Sequence, residues 1–456
     1  MSHPQPLIEA DLIHKTVQAV LRPEDAFTDL FVEQTTVGVC SATADAVRTM
    51  EIRTQQGSSL RRVNATSQRL VHVPSISEVG MGLLIQAFAN DRSSMQPASI
   101  PLLDTWMPPM PEMVQIAQEV ANEVKQQDPS RLQAEVFVRH LRQVVLIGRS
   151  DGRLAQSTRY YTKLSIEAVV QHERKIRRSR RQAGSSHPHD LCHNQHHLQL
   201  ARQAAEAAIQ KVEAVPIASG EMTVILGPGG PATLLHEACG HALEADLAQH
   251  PKSAYYGRLG EQVAAPTVTV IDDPAAAPSQ TPIYHLDDEG EPAQPTVLIE
   301  KGVLRNYLYD RRTALAAGEA ANGHGRRLSY AYPPLPRMSA TYLAPGEIPP
   351  ADIIKETKYG LFVRDIAGGK TDMGSGRFNL HVNECYLVED GHLTAPVQGV
   401  ILSGHGPKVL NAIDRVGNDF EFLSLAYGCN KLDQFPLFVT VGQPTIRVQE
   451  LAVQGV

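Results

Sequence analysis

The run His236-Glu237-Ala238-Cys239-Gly240-His241 places two imidazoles and a carboxylate within six residues, in the pattern HExxxH, on a segment whose surroundings read as helical. Imidazole nitrogens ligate zinc, and a carboxylate beside them is suited to general-base work in metal-assisted hydrolysis. In the more familiar pattern HExxH the two His stand four apart and share one face of an α-helix. Here they stand five apart, so on a regular helix the second ring would turn roughly 140° away from the first. One metal could not then take both. A π-type turn, whose hydrogen bonds run from i to i+5, returns the rings to one side, and Gly240 is the residue most tolerant of that distortion. The alternative is that two His and a Glu sit on a helix as surface or satisfied core residues.

A catalytic zinc takes three protein ligands and leaves a fourth position for water. Cys429 is the preferred third donor, because Ala426-Tyr427-Gly428-Cys429-Asn430-Lys431 reads as a flexible polar turn that could reach back to the helix. Cys239 lies inside the distorted turn, and Cys385 sits in a strand pattern where cysteine is more often a buried apolar residue. From the residues alone the choice among the three stays open. Glu244, three residues after His241, is a candidate acceptor that would orient its ring.

The elements that must position these groups fall into two halves. In the first, helical periodicity marks 7–21, 76–89 and 113–125, and strand formers mark 29–40, 46–53 and 59–63, the last two around a Gln56-Gly57-Ser58 turn. Long strands over 134–147 and 155–171 flank Gly148-Arg149-Ser150-Asp151-Gly152, a strong hairpin signal. A basic and His-rich stretch follows at 173–197, with His187, His189, His193, His196 and His197 around Cys192, in a spacing that matches no zinc-site template. It reads as a solvated loop, and an Ala-rich helix over 197–213 comes next. In the second half, a strand at 222–226 leads through Gly227-Pro228-Gly229-Gly230-Pro231 into the HExxxH helix, with Pro231 suited to a first helical position. Short strands follow at 267–271, 297–307, 378–388 and 392–401, interrupted by helices near 311–317, 351–357 and 407–415. The expected class is α+β: an N-terminal domain over 1–215 with a mostly antiparallel sheet, then a β-rich C-terminal domain over 216–456 carrying the metal-site helix.

The chain's 456 residues, 42% hydrophobic and 20% charged, are ordinary for a globular protein of two or three domains. A net charge of −7 argues against nucleic acid and anionic membranes as general partners. No run reaches the ~18 apolar residues of a membrane span, and the N-terminus lacks the features of a signal peptide, so a cytoplasmic location is expected. Five scattered cysteines fit reduced thiols rather than a disulfide framework.

From about 227 to 448 the chain resembles the TldD/PmbA family of metallopeptidases, and its metal-bearing TldD branch in particular. The resemblance rests on Leu234-Leu235-His236-Glu237-Ala238-Cys239-Gly240-His241, Asn322-Gly323-His324-Gly325-Arg326-Arg327, Gly368-Gly369-Lys370-Thr371-Asp372, Gly374-Ser375-Gly376-Arg377-Phe378, Val416-Gly417-Asn418-Asp419 and Val441-Gly442-Gln443-Pro444-Thr445, in that order. It implies that His236, His241 and Cys429 hold one zinc per chain, with Glu237 as general base. A thiolate in the ligand set leaves iron or another divalent ion open. One departure is Cys429-Asn430-Lys431, where the family usually has Cys-Gly-Lys. The resemblance also implies a peptide substrate, and a dimer with a second copy or with a metal-free TldE/PmbA-like paralogue; the β-rich surroundings suggest that the peptide binds extended, adding a strand through main-chain hydrogen bonds. The contrasting reading is a non-catalytic peptide-binding or regulatory subunit of such a complex.

Overall fold

The structure is a computed structural model that describes residues 9–64, 66–90, 106–187, 195–276, 282–425 and 427–455. Its first half is built on one six-stranded antiparallel sheet. The strands are β1 (Phe27–Ala42), β2 (Val47–Val63), β3 (Gln68–Val73), β4 (Leu132–Arg149), β5 (Leu154–His172) and β6 (Lys175–Ser185), in the order β3-β2-β1-β4-β5-β6. Strict alternation makes this sheet two-faced. On β4 and β5, even-numbered residues such as Val136, Val138, Leu164 and Ile166 pack beneath the helices Met110–Gln127 and His196–Gln210, and odd-numbered ones such as Leu141 and Tyr161 face the second half of the chain.

Two sequence expectations change here. Gln56-Gly57-Ser58 is no turn but the middle of the continuous strand β2. Gly57 is needed there because a Cβ would run into the Tyr330 ring. The basic run read as a solvated loop is largely β6, a sheet-edge strand; Glu167 on β5 pairs with Arg178 (2.7 Å) and Arg180 (3.0 Å), and Arg181 pairs with Glu384. A charged edge of this kind blunts unwanted strand pairing. His196 and His197 open the following helix, whereas His189, Cys192 and His193 lie outside the described residues.

The second half is β-rich, as expected. One mixed sheet closes on itself through Tyr359–Asp372, Gly220–Leu226, Ile446–Gly455, Val400–His405 and Arg377–Glu389, the last pairing back to the first. Gly368-Gly369-Lys370-Thr371-Asp372, one of the family-like motifs, is the end of a 14-residue strand. A second sheet runs from Val303–Leu304 through Gln434–Gln443 to Glu421–Phe422, and the short strand Tyr427–Lys431 also pairs with Gln434–Gln443. The metal-motif segment packs into the core between these two sheets.

Buried ion pairs weld the halves together. Arg61 on β2 bridges Asp29 and Glu289 (2.6 Å), Arg159 on β5 meets Asp288 at 2.6 Å, and Arg149 on β4 meets Glu291 at 2.8 Å. Removing one partner of such a pair strands a charge in the interior, at about 3–5 kcal/mol. Among the described residues, no helix is long and apolar enough to cross a membrane.

Candidate metal centre

The strand Gly220–Leu226 ends at Gly227, and the chain turns at Gly229, whose φ of 70° suits glycine. A one-turn 3-10 segment, Gly230–Ala232, carries Pro231 in its first turn, and three α-helical residues follow. Then His236–Gly240 winds as a π-helix, in which the His241 N–H bonds to the His236 carbonyl. That is the i+5 bond the motif requires. It brings the two imidazole rings to a centroid distance of 4.7 Å, edge to face at 80°.

Gly240 serves a different purpose from the one its sequence position suggests. Its φ and ψ of −52° and −58° are ordinary right-handed values, so no backbone freedom is used. A Cβ there would instead strike the Met338 sulfur, and a Cβ on Gly406 would strike the Ala238 carbonyl. Thr371 adds a clamp, donating to the Glu237 carbonyl at 3.1 Å. The irregular turn is therefore held by close packing on several sides.

Cys429 arrives from the other sheet. On Tyr427–Lys431 it stands opposite Leu437, and its sulfur lies 3.4 Å from His241 Nε2. The ligating atoms of His236, His241 and Cys429 all fall within 4.8 Å of one another, and all three residues are buried. Glu237 is buried in the same turn. The other cysteines the sequence offered are elsewhere engaged. Cys239 donates to the Leu235 carbonyl at 3.3 Å and Cys385 to the Val397 carbonyl at 3.7 Å, and burial pushes both thiols up to about 12.

Behind the cluster sits a charge relay that sequence reading found only in part. Glu244 leaves the helix in extended conformation and approaches His241 Nδ1 at 3.0 Å. With the carboxylate on that nitrogen the ring proton belongs on Nδ1, and Nε2 is directed at the cluster. Lys431, two residues beyond Cys429 and fully buried, reaches Glu244 at 2.9 Å, Asp246 at 2.6 Å and the Pro336 carbonyl at 3.0 Å. Arg337 lies 3.8 Å from Glu244 and donates to the Cys429 carbonyl at 3.2 Å. Arg337 thus has internal partners and no exposure, and Arg326 and Arg327 are likewise buried against protein groups. The i, i+2 spacing of Cys429 and Lys431 on a strand is the one sequence signal that could have found Lys431, since it puts both on one face.

The electrostatics follow from these contacts. Burial works against the Cys429 thiolate, but His241, Arg337 and His236 outweigh it and hold the thiol well below its usual range. Burial likewise opposes charge on His241, yet Cys429 and Glu244 raise it to about 10. Burial would raise Glu244, whereas Lys431, His241 and Arg337 bring it down to about 2. The shifts of His241 and Cys429 run in the direction that favours a charged His241 beside a Cys429 thiolate. A divalent ion held by the same donors would compete with the proton that charges His241 and release it. Two imidazoles and a stabilised thiolate, converging and shielded from water, fit a tetrahedral N2S set with one position to spare.

Residues 219–455 match the PmbA/TldA metallopeptidase C-terminal domain, and 104–212 match the central domain of the same proteins. The chain belongs to the TldD/PmbA metallopeptidase family. It is 37% identical over 317 residues to the Metalloprotease TldD homolog of Haemophilus influenzae, a match that covers 68% of this chain and 65% of that protein. A metalloprotease of Methanothermobacter thermautotrophicus is 33% identical over 306 residues, 67% of this chain and 66% of its own length. The chain therefore spans slightly less than two-thirds of these relatives. Among solved structures, TldE from Thermococcus kodakarensis superposes with a TM-score of 0.76 over 98% of this chain and 100% of that one, at 17% identity, which shows a shared fold.

Proposed function

We propose that this chain is a metal-dependent peptidase, with His236, His241 and Cys429 as ligands of one zinc ion and Glu237 as general base. The observation that carries the reading is the convergence of those three donors within 4.8 Å across a π-turn that also bears Glu237. Zinc bound there would polarise a scissile carbonyl and make a water molecule acidic near neutral pH. The Glu237 carboxylate takes a proton from the attacking water and returns it to the leaving amine. Glu244 keeps the His241 proton on Nδ1, Lys431 keeps Glu244 ionised, and Arg337 fixes the Cys429 backbone. The dry surroundings strengthen each of these contacts.

The substrate class that suits a β-rich site is an extended peptide or an unstructured protein segment, bound through its main chain. We further propose that the chain works in the cytoplasm as a dimer, with itself or with a homologous TldE/PmbA-like chain that lacks the metal motif. Iron or another divalent ion is the alternative metal, given the thiolate ligand. The discriminating variant is Glu237→Gln. It should retain metal and bind peptide while losing hydrolysis by at least about 100-fold. Full hydrolysis in that variant would remove Glu237 from the mechanism. Peptide binding without any hydrolysis in the wild type would instead favour the non-catalytic, regulatory reading.

A further inference from the structure

The inner face of the first sheet and the strand Gln434–Gln443 enclose a cavity of about 230 Å³. Four arginines line it, Arg139, Arg159, Arg326 and Arg327, against two carboxylates, Glu33 and Asp288. Three of the arginines are committed. Arg159 donates to Asp288 at 2.6 Å and to the Leu286 carbonyl at 2.8 Å. Arg326 donates to the carbonyls of Met338 at 2.6 Å and Phe438 at 2.8 Å, and Arg327 to Ser59 at 3.2 Å and the Asp288 carbonyl at 3.1 Å. Glu33 is also satisfied, accepting from Thr35 (2.6 Å), Gln143 (3.0 Å) and the Tyr330 N–H (2.7 Å).

Arg139 differs. Its guanidinium lies 5.2 Å from the centroid of the Phe438 ring, which is itself stacked on Tyr161 at 4.9 Å. Among the described residues, no hydrogen bond or ion pair reaches it. Burial pulls its pKa down with no carboxylate to offset the effect, and Lys163, its cross-strand neighbour, adds a second cation nearby. A half-buried guanidinium with five donors and no acceptor is poised for an anion, and its planar fork matches a carboxylate. The cavity is also close to the metal centre: Leu437, in its wall, pairs with Cys429, one strand spacing of roughly 5 Å away.

We propose that Arg139 receives a carboxylate of the bound peptide in this cavity, either its C-terminal carboxylate or an acidic side chain a few residues from the scissile bond. The inference rests on the peptidase reading only in taking the ligand to be a peptide. It deepens that reading into a preference among peptides. A purely structural Arg139, held by its packing on Phe438, would be indifferent to peptide charge.

The test is equilibrium binding of four labelled peptides to Glu237→Gln protein as purified, with Arg139 intact or changed to Gln or Lys. One sequence is made as the C-terminal acid and as the amide; a second, amidated pair carries Glu or Gln internally. The expected result is binding about tenfold or more tighter for one acidic member over its neutral partner with Arg139 intact. Which pair shows the preference identifies the source of the carboxylate. Arg139→Gln should abolish the preference and leave binding of the neutral peptides unchanged, and Arg139→Lys should keep part of it. Equal binding within both pairs with Arg139 intact, or a preference that survives Arg139→Gln, would overturn the inference. Cleavage by the wild type is measured separately, so an acid preference without turnover would count against the peptidase reading alone. Failure of all four peptides to bind would overturn both.

Discussion

Changing Glu244 to Gln keeps the side chain's size but removes the charge that joins His241 to Lys431 and Arg337. The carboxyl moves from an ordinary 4.5 to about 2 in the folded chain. A shift of that size makes ionised Glu244 worth about 3 kcal/mol at pH 7 relative to a neutral group, by linkage. Because the folded pKa lies below the unfolded one, the unfolded chain holds more protons between about pH 4.5 and 2, and stability falls as pH falls through that window. Glu244→Gln behaves as if always protonated, so its deficit should be constant from pH 7 to about 5 and shrink to about 2 kcal/mol near pH 3.5. Urea denaturation of both chelated proteins across that range reads the deficit directly. The same variant weakens the acceptor on His241 Nδ1, and losing the group that orients a ligand's ring lowers metal affinity about 10- to 100-fold, measurable by competition with a chelator. A deficit that does not change between pH 7 and 3.5, together with unaltered metal affinity, would refute the charge relay.

Further outcomes follow from the same geometry. Lys431→Met should cost about 3–5 kcal/mol in urea denaturation, because it leaves Glu244 and Asp246 buried beside each other without their shared cation; a variant as stable as the wild type would contradict that role. Gly240→Ala should destabilise by about 1–3 kcal/mol through its clash with Met338. The double change Gly240→Ala with Met338→Ala should cost less than the sum of the two single changes, and simple additivity would show that the contact is not the cause. Cys239→Ala and Cys385→Ala should leave metal content unchanged, since both thiols bond to backbone carbonyls away from the cluster; loss of metal in either would redraw the ligand set.

How far the sequence could be read depended on whether the information was local. The i+5 spacing of His236 and His241 demands its own backbone irregularity, and the π-turn is there. Gly148 to Gly152 reads as a hairpin because turn residues sit between two alternating strands, and β4 and β5 pair on either side of it. Gln56-Gly57-Ser58 carries the same local signal but is a strand, because what selects Gly57 is the Tyr330 ring from far along the chain. Arg177 to Arg181 resembled a solvated loop because the carboxylates that pair with it, Glu167 and Glu384, belong to other strands. The same holds at the candidate site. The His and Cys donors could be named from residue type and motif, whereas Lys431, Asp246 and Arg337 acquire their roles only when the strand after Cys429 folds against the segment after His241.

Metal analysis of the purified wild type beside His236→Ala and Cys429→Ala, with an unstructured peptide incubated in each preparation, bears most directly on the central claim. The expected result is about one zinc per wild-type chain, with metal and cleavage lost together in both variants. Cleavage that persists in either variant without metal, or a wild type that holds no metal and cleaves nothing, would contradict it.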